Sequence, residues 1–404
     1  MIKSMHLPKF RLIAAVMICA AAMLMTASGV SYALPEGTKM RGVWVATLAN
    51  LDYPTKPTTN PQALMSQADK ILDQAAAANF NAVFLQVRPD SDALYKSEIF
   101  PWSRYLTGKQ GVAPDNGFDP LAYWVEAAHK RGIELHAWIN PYRVSAKGDE
   151  QWGEITPSHP AKTFLAKFVK RYKKKSIHFD PAEPEVRDVI IRGAVEIAQN
   201  YDVDGIHMDD YFYPGVDFDD ANSYAKYGAG YGNRADWRRA NVNTLISEMH
   251  DALKSVRPDI SFGISPSGIW ANQKSKARGS KTLGLEHYIN HSADSLTWIS
   301  RGWIDYIAPQ IYWHIGHDKA DYAELVNWWS NAVQNSNVKL YIGMGDYRST
   351  NVKDPKSPWY GVNELKRQFA INDGNPNVDG EIHYRYGSIV SDPSMLQLYR
   401  TTIR

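Results

Sequence analysis

Two hydrophobic rhythms alternate along this chain. Short stretches of apolar residues at every second position, or in unbroken runs of four to eight, read as strands. Longer stretches with apolar positions three and four apart read as helices. The strand candidates are Met40 to Thr47, Asn81 to Pro89, Ile133 to Pro141, the run from Val203, Ile260 to Ser267, Ile304 to Trp313, Lys339 to Tyr347 and Gly380 to Tyr386. Between and after them the pattern predicts helices over Pro61 to Ala78, Pro120 to Lys130, Pro184 to Tyr201, Asp236 to Val256, Asp294 to Ser300, Tyr322 to Gln334 and Val362 to Asn372, with a last one from Pro393. A basic stretch, Pro160 to Lys174, is also expected to be helical, with its lysines on an exposed face. Eight strands, each followed by a helix, point to the α/β class and a (β/α)8 barrel over an open doubly wound sheet. No Gly-rich fingerprint follows the first strand, so a dinucleotide fold has no support.

Strand side chains alternate between faces, so each strand can be sorted. On the fourth, Ile206 and Met208 face the helices, while Gly205, His207 and Asp209 face the barrel axis. The second turns Phe84, Gln86 and Arg88 inward, and the third His136, Trp138, Asn140 and Tyr142. The sixth gives Ala308, Gln310 and Tyr312, the fifth Gly263, Ser265 and Ser267, and the first Gly42, Trp44 and Ala46. In such barrels chemistry sits at the C-terminal strand ends. Arg88, Asn140, Tyr142, His207, Asp209, Ser265, Gln310 and Tyr312 should therefore converge at one mouth. Polar pairs inside a barrel are often plain structural layers. Here aromatic faces, amides, a guanidinium and a carboxylate converge, which is what a sugar site uses.

Composition narrows the class. The 404 residues are 44% hydrophobic and 22% charged, an ordinary globular balance. Lys3, Lys9 and Arg11 precede an uncharged apolar run from Leu12 to Met25, and Ser31-Tyr32-Ala33 offers the small residues of a processing site. Residues 1–33 are thus expected to be a signal peptide, with a secreted, periplasmic or envelope-located chain starting at Leu34. The run is short for a membrane anchor, and no span is expected after cleavage. Cys19, the single cysteine, lies in the removed segment, so neither a disulfide nor a thiol nucleophile is expected. Taking those three basic residues from 45 leaves 42 against 43 acidic ones, a formal net charge of −1. That leaves no electrostatic case for nucleic acid. Thirteen Trp and twenty-three Tyr are the excess, in keeping with stacking on sugar rings.

Glycoside hydrolysis uses two carboxyl groups flanking the scissile bond. Asp209 is one. For the other, Asp92 on the loop after the second strand and Asp210 come first, then Glu286 and Asp294. Asp90 shares the Asp92 loop, and Asp346 falls on the helix side by alternation with Ile342 and Met344. Asp217, Asp219 and Asp220 lack the Gly and distal Glu of a calcium loop and read as a solvated acidic turn. His136 and His207 lack the paired spacing of a hydrolase zinc site, and no cofactor is expected.

Several motifs carry a resemblance. Arg41-Gly42-Val43-Trp44-Val45, Gln86-Val87-Arg88-Pro89, Asp92-Ala93-Leu94-Tyr95 and Ala137-Trp138-Ile139-Asn140-Pro141-Tyr142-Arg143 resemble the glycosyl-hydrolase-like 10 family. So do Asp204 to Pro214 and Gly302 to Trp313, and the likeness spans roughly Met40 to Tyr347. The resemblance implies a (β/α)8 barrel and glycosidase activity on bacterial cell-wall glycan, including strands stripped of their peptides. The fourth-strand motif is also similar to the α-amylase clan, where an Asp at the position of Asp209 is the nucleophile. That clan's acid Glu has no counterpart in Ser265-Pro266-Ser267.

The expectation is thus a single exported barrel domain over residues 34–404, a monomer whose partner is peptidoglycan or a related polysaccharide. Asp209 would be nucleophile or base, with Asp210 or Asp92 as acid. Arg88, Asn140, Tyr142, His207, Gln310, Tyr312, Trp44 and Tyr211 would bind sugar. A non-catalytic glycan-binding barrel and a metal-dependent polysaccharide deacetylase are the rival readings.

Overall fold

The computed structural model describes residues 34–35 and 37–402. The signal-peptide and Cys19 expectations lie outside the described residues. Eight parallel strand positions close on themselves: β1 (Met40–Val45), β2 (Ala82–Arg88), β3 (Glu134–Ile139), β7 (Gly205–Met208), β8 (Ser261–Ile264), β9 and β10 (Tyr306–Ile307 and Gln310–Ile311), β11 (Lys339–Met344) and β12 (Gly380–His383). Pairing of β12 with β1, and of both β9 and β10 with β11, completes the ring, so the fold is a (β/α)8 barrel. The expected sixth strand is split at Ala308-Pro309 because proline has no N–H to give a ladder.

The alternation holds over most of the ring. Val43, Val83, Leu85, Leu135, Ala137, Ile206, Met208 and Ile307 join the core beneath the helices, while Trp44, Phe84, Trp138, Tyr306 and Tyr341 fill the barrel. Inward glycines make room for those rings. A Cβ on Gly205 would stand 2.2 Å from His136 Nδ1, and one on Gly263 2.2 Å from the Tyr306 ring. Helix starts follow their sequence signals: Asn60 and Asp119, each before a proline, accept from the first free backbone N–H groups of Pro61–Ala77 and Pro120–His129.

Two expectations fail for local reasons. The basic stretch is not a helix. Pro160–Lys162 and Ala166–Phe168 are single 3-10 turns, and Val169–Tyr172 is strand β5, antiparallel to β6 (Ser176–Phe179). Lys173 and Lys174, at φ +49° and +58°, form the hairpin turn, and β6 also pairs with β4 (Arg143–Ser145). The acidic turn is not all solvated either. Asp220 is fully buried, accepting 2.7 Å bonds from Arg238 and a further one from Arg234, a paired charge instead of a hydrated one.

Candidate active site

A cavity of about 290 Å³ opens at the C-terminal mouth of the barrel, lined by Trp44, Trp138, Asp209, Asp210, Tyr211, Ser265, Gln310, Tyr312, Tyr347 and Tyr384. Of the expected site residues, Asp209, Asp210, Tyr211, Gln310, Tyr312 and Trp44 meet there. Asn140 and His207 lie directly behind the lining.

Asp209 is held by donors alone. The Asn140 amide N–H2 donates to its Oδ2, the Trp138 indole N–H donates to the same oxygen at 3.2 Å, and the Tyr211 backbone N–H reaches Oδ1 at 3.4 Å. The orientation of Asn140 is fixed from behind. Its Oδ1 accepts from Arg143 at 2.9 Å and from Gln86 at 2.7 Å, and arginine can only donate, so the amide nitrogen must face Asp209. Gln86 is fixed in turn, because its Oε1 accepts the backbone N–H groups of Thr47 and Leu48. Arg143 leans on Asp90 at 2.9 Å and lies over the Tyr211 ring. The whole shell is therefore oriented toward a negative Asp209.

Burial and the neighbouring Asp210 charge push the other way, raising the Asp209 carboxyl to about 7, against the pull of Arg143, the Tyr211 N–H and Trp138. This donor-only shell sets Asp209 apart from its neighbour Asp210. It is half-buried, and its partners are Gln310 Nε2 at 3.2 Å and the Ser267 hydroxyl at 2.9 Å. A hydroxyl can donate to a carboxylate or accept from a carboxylic acid, an option that no partner of Asp209 offers.

Below the cavity a hydrogen-bonded chain runs down the barrel. The Trp44 indole donates to His207 Nε2 at 3.2 Å, leaving Nδ1–H to the Tyr306 hydroxyl at 3.1 Å. Tyr306 meets His136 Nδ1 at 3.2 Å, and His136 Nε2 meets Glu134 at 3.2 Å. Burial and His136 hold His207 well below its usual range, so it is an uncharged floor, with Ser265 3.0 Å from Nε2.

Three expected residues are placed elsewhere. Arg88 points into the helix layer, with its guanidinium 4.5 Å from the Phe100 ring and against Gly193 of helix Pro184–Asn200. The cause is a β-bulge between Gln86 and Arg88, which adds one residue and reverses every later side chain, so that Arg88 pairs with outward Ile139. Tyr142 is fully buried in the outer core, because β3 ends at Ile139 and Pro141 releases the backbone from the ladder. Asp92 is also fully buried, under the loop after β2, where it accepts from Gln110 at 3.2 Å and from the Asp90 N–H at 3.3 Å. Burial and Asp90 lift it to about 6, but it does not line the cavity. Glu286 accepts from Asn272 N–H and Ser275, and Asp294 from Thr297, so both serve their own loops.

Sequence reasoning missed Tyr347 and Tyr384 as lining residues and did not count Trp138 as a ligand. Tyr384 stacks on Tyr312, with centroids 5.9 Å apart and planes at 24°, and Tyr347 meets both edge-on. Each stands at the end of its strand beside a buried acid or base. Asp346 and His383 pair behind them on the helix side, 3.2 Å apart, with Tyr399 on both. The strand-end position of the two tyrosines was the available signal.

Known proteins resemble this chain in sequence and in fold. The glycosyl hydrolase YngK of Bacillus subtilis (strain 168) is 40% identical over 361 residues, covering 88% of this chain and 69% of its own. The glycosyl hydrolase DigH of Escherichia coli (strain K12) is 37% identical over 365 residues, covering 86% and 82%. Among solved structures, the PgaB (BpsB) glycoside hydrolase domain from Bordetella bronchiseptica matches with TM-score 0.58 at 13% identity, over 90% of this chain and 98% of that one. α-L-Fucosidase isoenzyme 2 from Paenibacillus thiaminolyticus matches with TM-score 0.58 at 12% identity, over 90% and 48%. At such identities these two speak for the barrel fold alone. Residues 39–360 match the glycosyl hydrolase-like 10 family, so both sequence relatives and family assign the same class to a chain whose barrel mouth holds paired carboxylates among aromatic rings: it belongs to the glycosyl hydrolase-like 10 family.

Proposed function

We propose that this protein is an exported glycoside hydrolase that cuts glycosidic bonds in peptidoglycan glycan strands, those freed of stem peptides included. The observation that carries the catalytic part is the Asp209–Asp210 pair in a small aromatic cavity, one carboxyl surrounded by donors and the other able to hold a proton. Asp209 acts as the anion and Asp210 as the general acid, protonating the leaving oxygen. Tyr211, Tyr312, Tyr384, Trp44 and Trp138 pack against ring faces, and Gln310 and Ser265 meet hydroxyls. Asp92 remains a loop-building acid. The substrate reading is supported by the resemblance of the motifs to a cell-wall glycosidase family and by the signal-like first 33 residues. Export to the envelope rests on that same segment.

The test is digestion of purified peptidoglycan, with and without stem peptides, by wild type and Asp209→Asn, read by mass spectrometry of the soluble sugars. Fragments from wild type alone are expected. Equal release by both would mean that the chemistry lies elsewhere. No release from either, with the protein retained on the glycan, would make the barrel a binding module.

A further inference from the structure

Two-carboxylate glycosidases set their acid and their second carboxyl on opposite sides of the scissile bond, about 5 Å apart when the second is a nucleophile and about 6.5–9.5 Å apart when it activates water. This cavity is built otherwise. Among the described residues lining it, Asp209 and Asp210 are the two carboxyl groups, and they are consecutive at the end of one strand. The rest of the lining, Tyr312, Tyr347, Tyr384, Gln310 and Trp44 among it, carries no carboxyl group. A tyrosinate does not fill the gap. Asp210 and burial raise Tyr211, and burial raises Tyr312 and Tyr384, keeping these hydroxyls protonated. Asp209 is 3% exposed, and its Oδ2 is tied to Asn140 and Trp138. Among the described residues its Oδ1 has one long contact, to the Tyr211 N–H at 3.4 Å, which leaves it able to accept one more donor.

We infer that the nucleophile comes from the substrate: the sugar in this cavity is a 2-acetamido sugar, whose acetamido oxygen attacks its own anomeric carbon while Asp209 holds the acetamido N–H. The inference rests on the reading above, that the protein is a glycosidase. In the first step the acetamido oxygen forms a bond to C1 and the C1–O bond to the leaving sugar breaks. The leaving oxygen keeps the electron pair and takes the proton of Asp210. Asp209 accepts the acetamido proton, leaving a neutral bicyclic oxazoline. In the second step water adds to C1, Asp210 takes its proton, and the oxazoline C1–O bond opens. The nitrogen regains its proton from Asp209, and the product is a hemiacetal with retained configuration. Asp209 thus needs to be the fixed anion that its donor-only shell makes it, and Asp210 the proton shuttle that its hydroxyl partner allows. Neighbouring positions on one strand are an advantage here, because the acetamido group and the leaving oxygen sit on adjacent carbons of the same ring.

Three measurements with the full chain test this. Proton NMR of the first products from peptide-free glycan strands reads the anomer, calorimetry reads binding of a thiazoline analogue of the oxazoline, and hydrolysis is compared on the same strands after N-deacetylation. Expected are retention, competitive thiazoline binding that Asp209→Ala weakens, and at least about a thousandfold slower cleavage of deacetylated strands. That loss follows from removing an intramolecular nucleophile of very high effective concentration. Inversion, or a covalent glycosyl-protein adduct trapped with a 2-fluoro sugar, would overturn the inference while leaving a glycosidase in place. No cleavage of any strand would overturn the proposed function, and this inference with it.

Discussion

Asn140→Ala is the most informative single change, because Asn140 donates to Asp209 and so favours its ionised form. The side chain is fully buried and donates to Asp209, while its carbonyl accepts from Gln86 and Arg143. Truncation removes one hydrogen bond to a charged group, worth about 1.5–3 kcal/mol. Since 1.36 kcal/mol corresponds to one pKa unit, the Asp209 carboxyl should rise by about 1–2 units. It already lies near 7, lifted by burial and Asp210. The active form needs Asp209 ionised, so the acidic limb of the kcat/KM profile should move to higher pH by that amount. At pH 7 the ionised fraction drops from about one half to about one tenth or one hundredth, so the rate should fall about 5- to 50-fold, with part of it recovered at pH 9. The assay is release of soluble glycan fragments between pH 5 and 10, with circular dichroism to verify folding, because two buried donors lose their acceptor. A rate that falls equally at every pH, with the acidic limb unmoved, would refute the assignment of Asp209 as the titrating anion.

Other expectations follow from the same geometry. Asp209→Asn should keep the fold and lower turnover by about 10³-fold or more, as loss of a reacting carboxyl does; near-wild-type turnover would exclude it from catalysis. Arg88→Met should leave kcat/KM unchanged, since the guanidinium faces helix Pro184–Asn200 and lies over the Phe100 ring, away from the cavity lining. Its melting temperature should be equal or higher, and a loss of activity in a folded variant would contradict the bulge assignment. At His383, burial disfavours the charge, but Asp346 and Glu381 outweigh it and hold the imidazolium at about 9. A folded value above the unfolded one of about 6.5 means stabilisation that is complete below pH 6.5 and lost as pH rises through 9, about 3 kcal/mol in all. The melting temperature should therefore drop between pH 7 and 9.5 in wild type and less in His383→Gln; equal slopes would refute the ion pair.

The barrel was legible because its signal is periodic and repeated. Apolar residues on the outward face of each strand must meet helices whichever neighbours they find, so Ile206 and Met208 declare the inward turn of His207 and Asp209 from local pattern alone. Trp44, Asp209, Gln310 and Tyr312 reached the mouth for that reason. Where one residue breaks the period, the pattern misleads. The bulge before Arg88 has no marker in Gln86-Val87-Arg88, and it sends a cation meant for sugar into the helix layer. Proline ended β3 early enough to take Tyr142 away, and the Lys173-Lys174 turn converted a helical-looking run into a hairpin. Asp92 and Asp210 were equivalent in sequence, two acids next to strand ends. Only the folded backbone buries one under its loop and opens the other to the cavity, because which carboxyl faces empty space depends on atoms contributed by six other strand ends. Sequence determined the ring and its inner face. Tertiary structure opened Asp210 to the cavity, fixed Asn140 toward Asp209, and added Tyr347 and Tyr384, whose places depend on how strands far apart in the chain close upon each other.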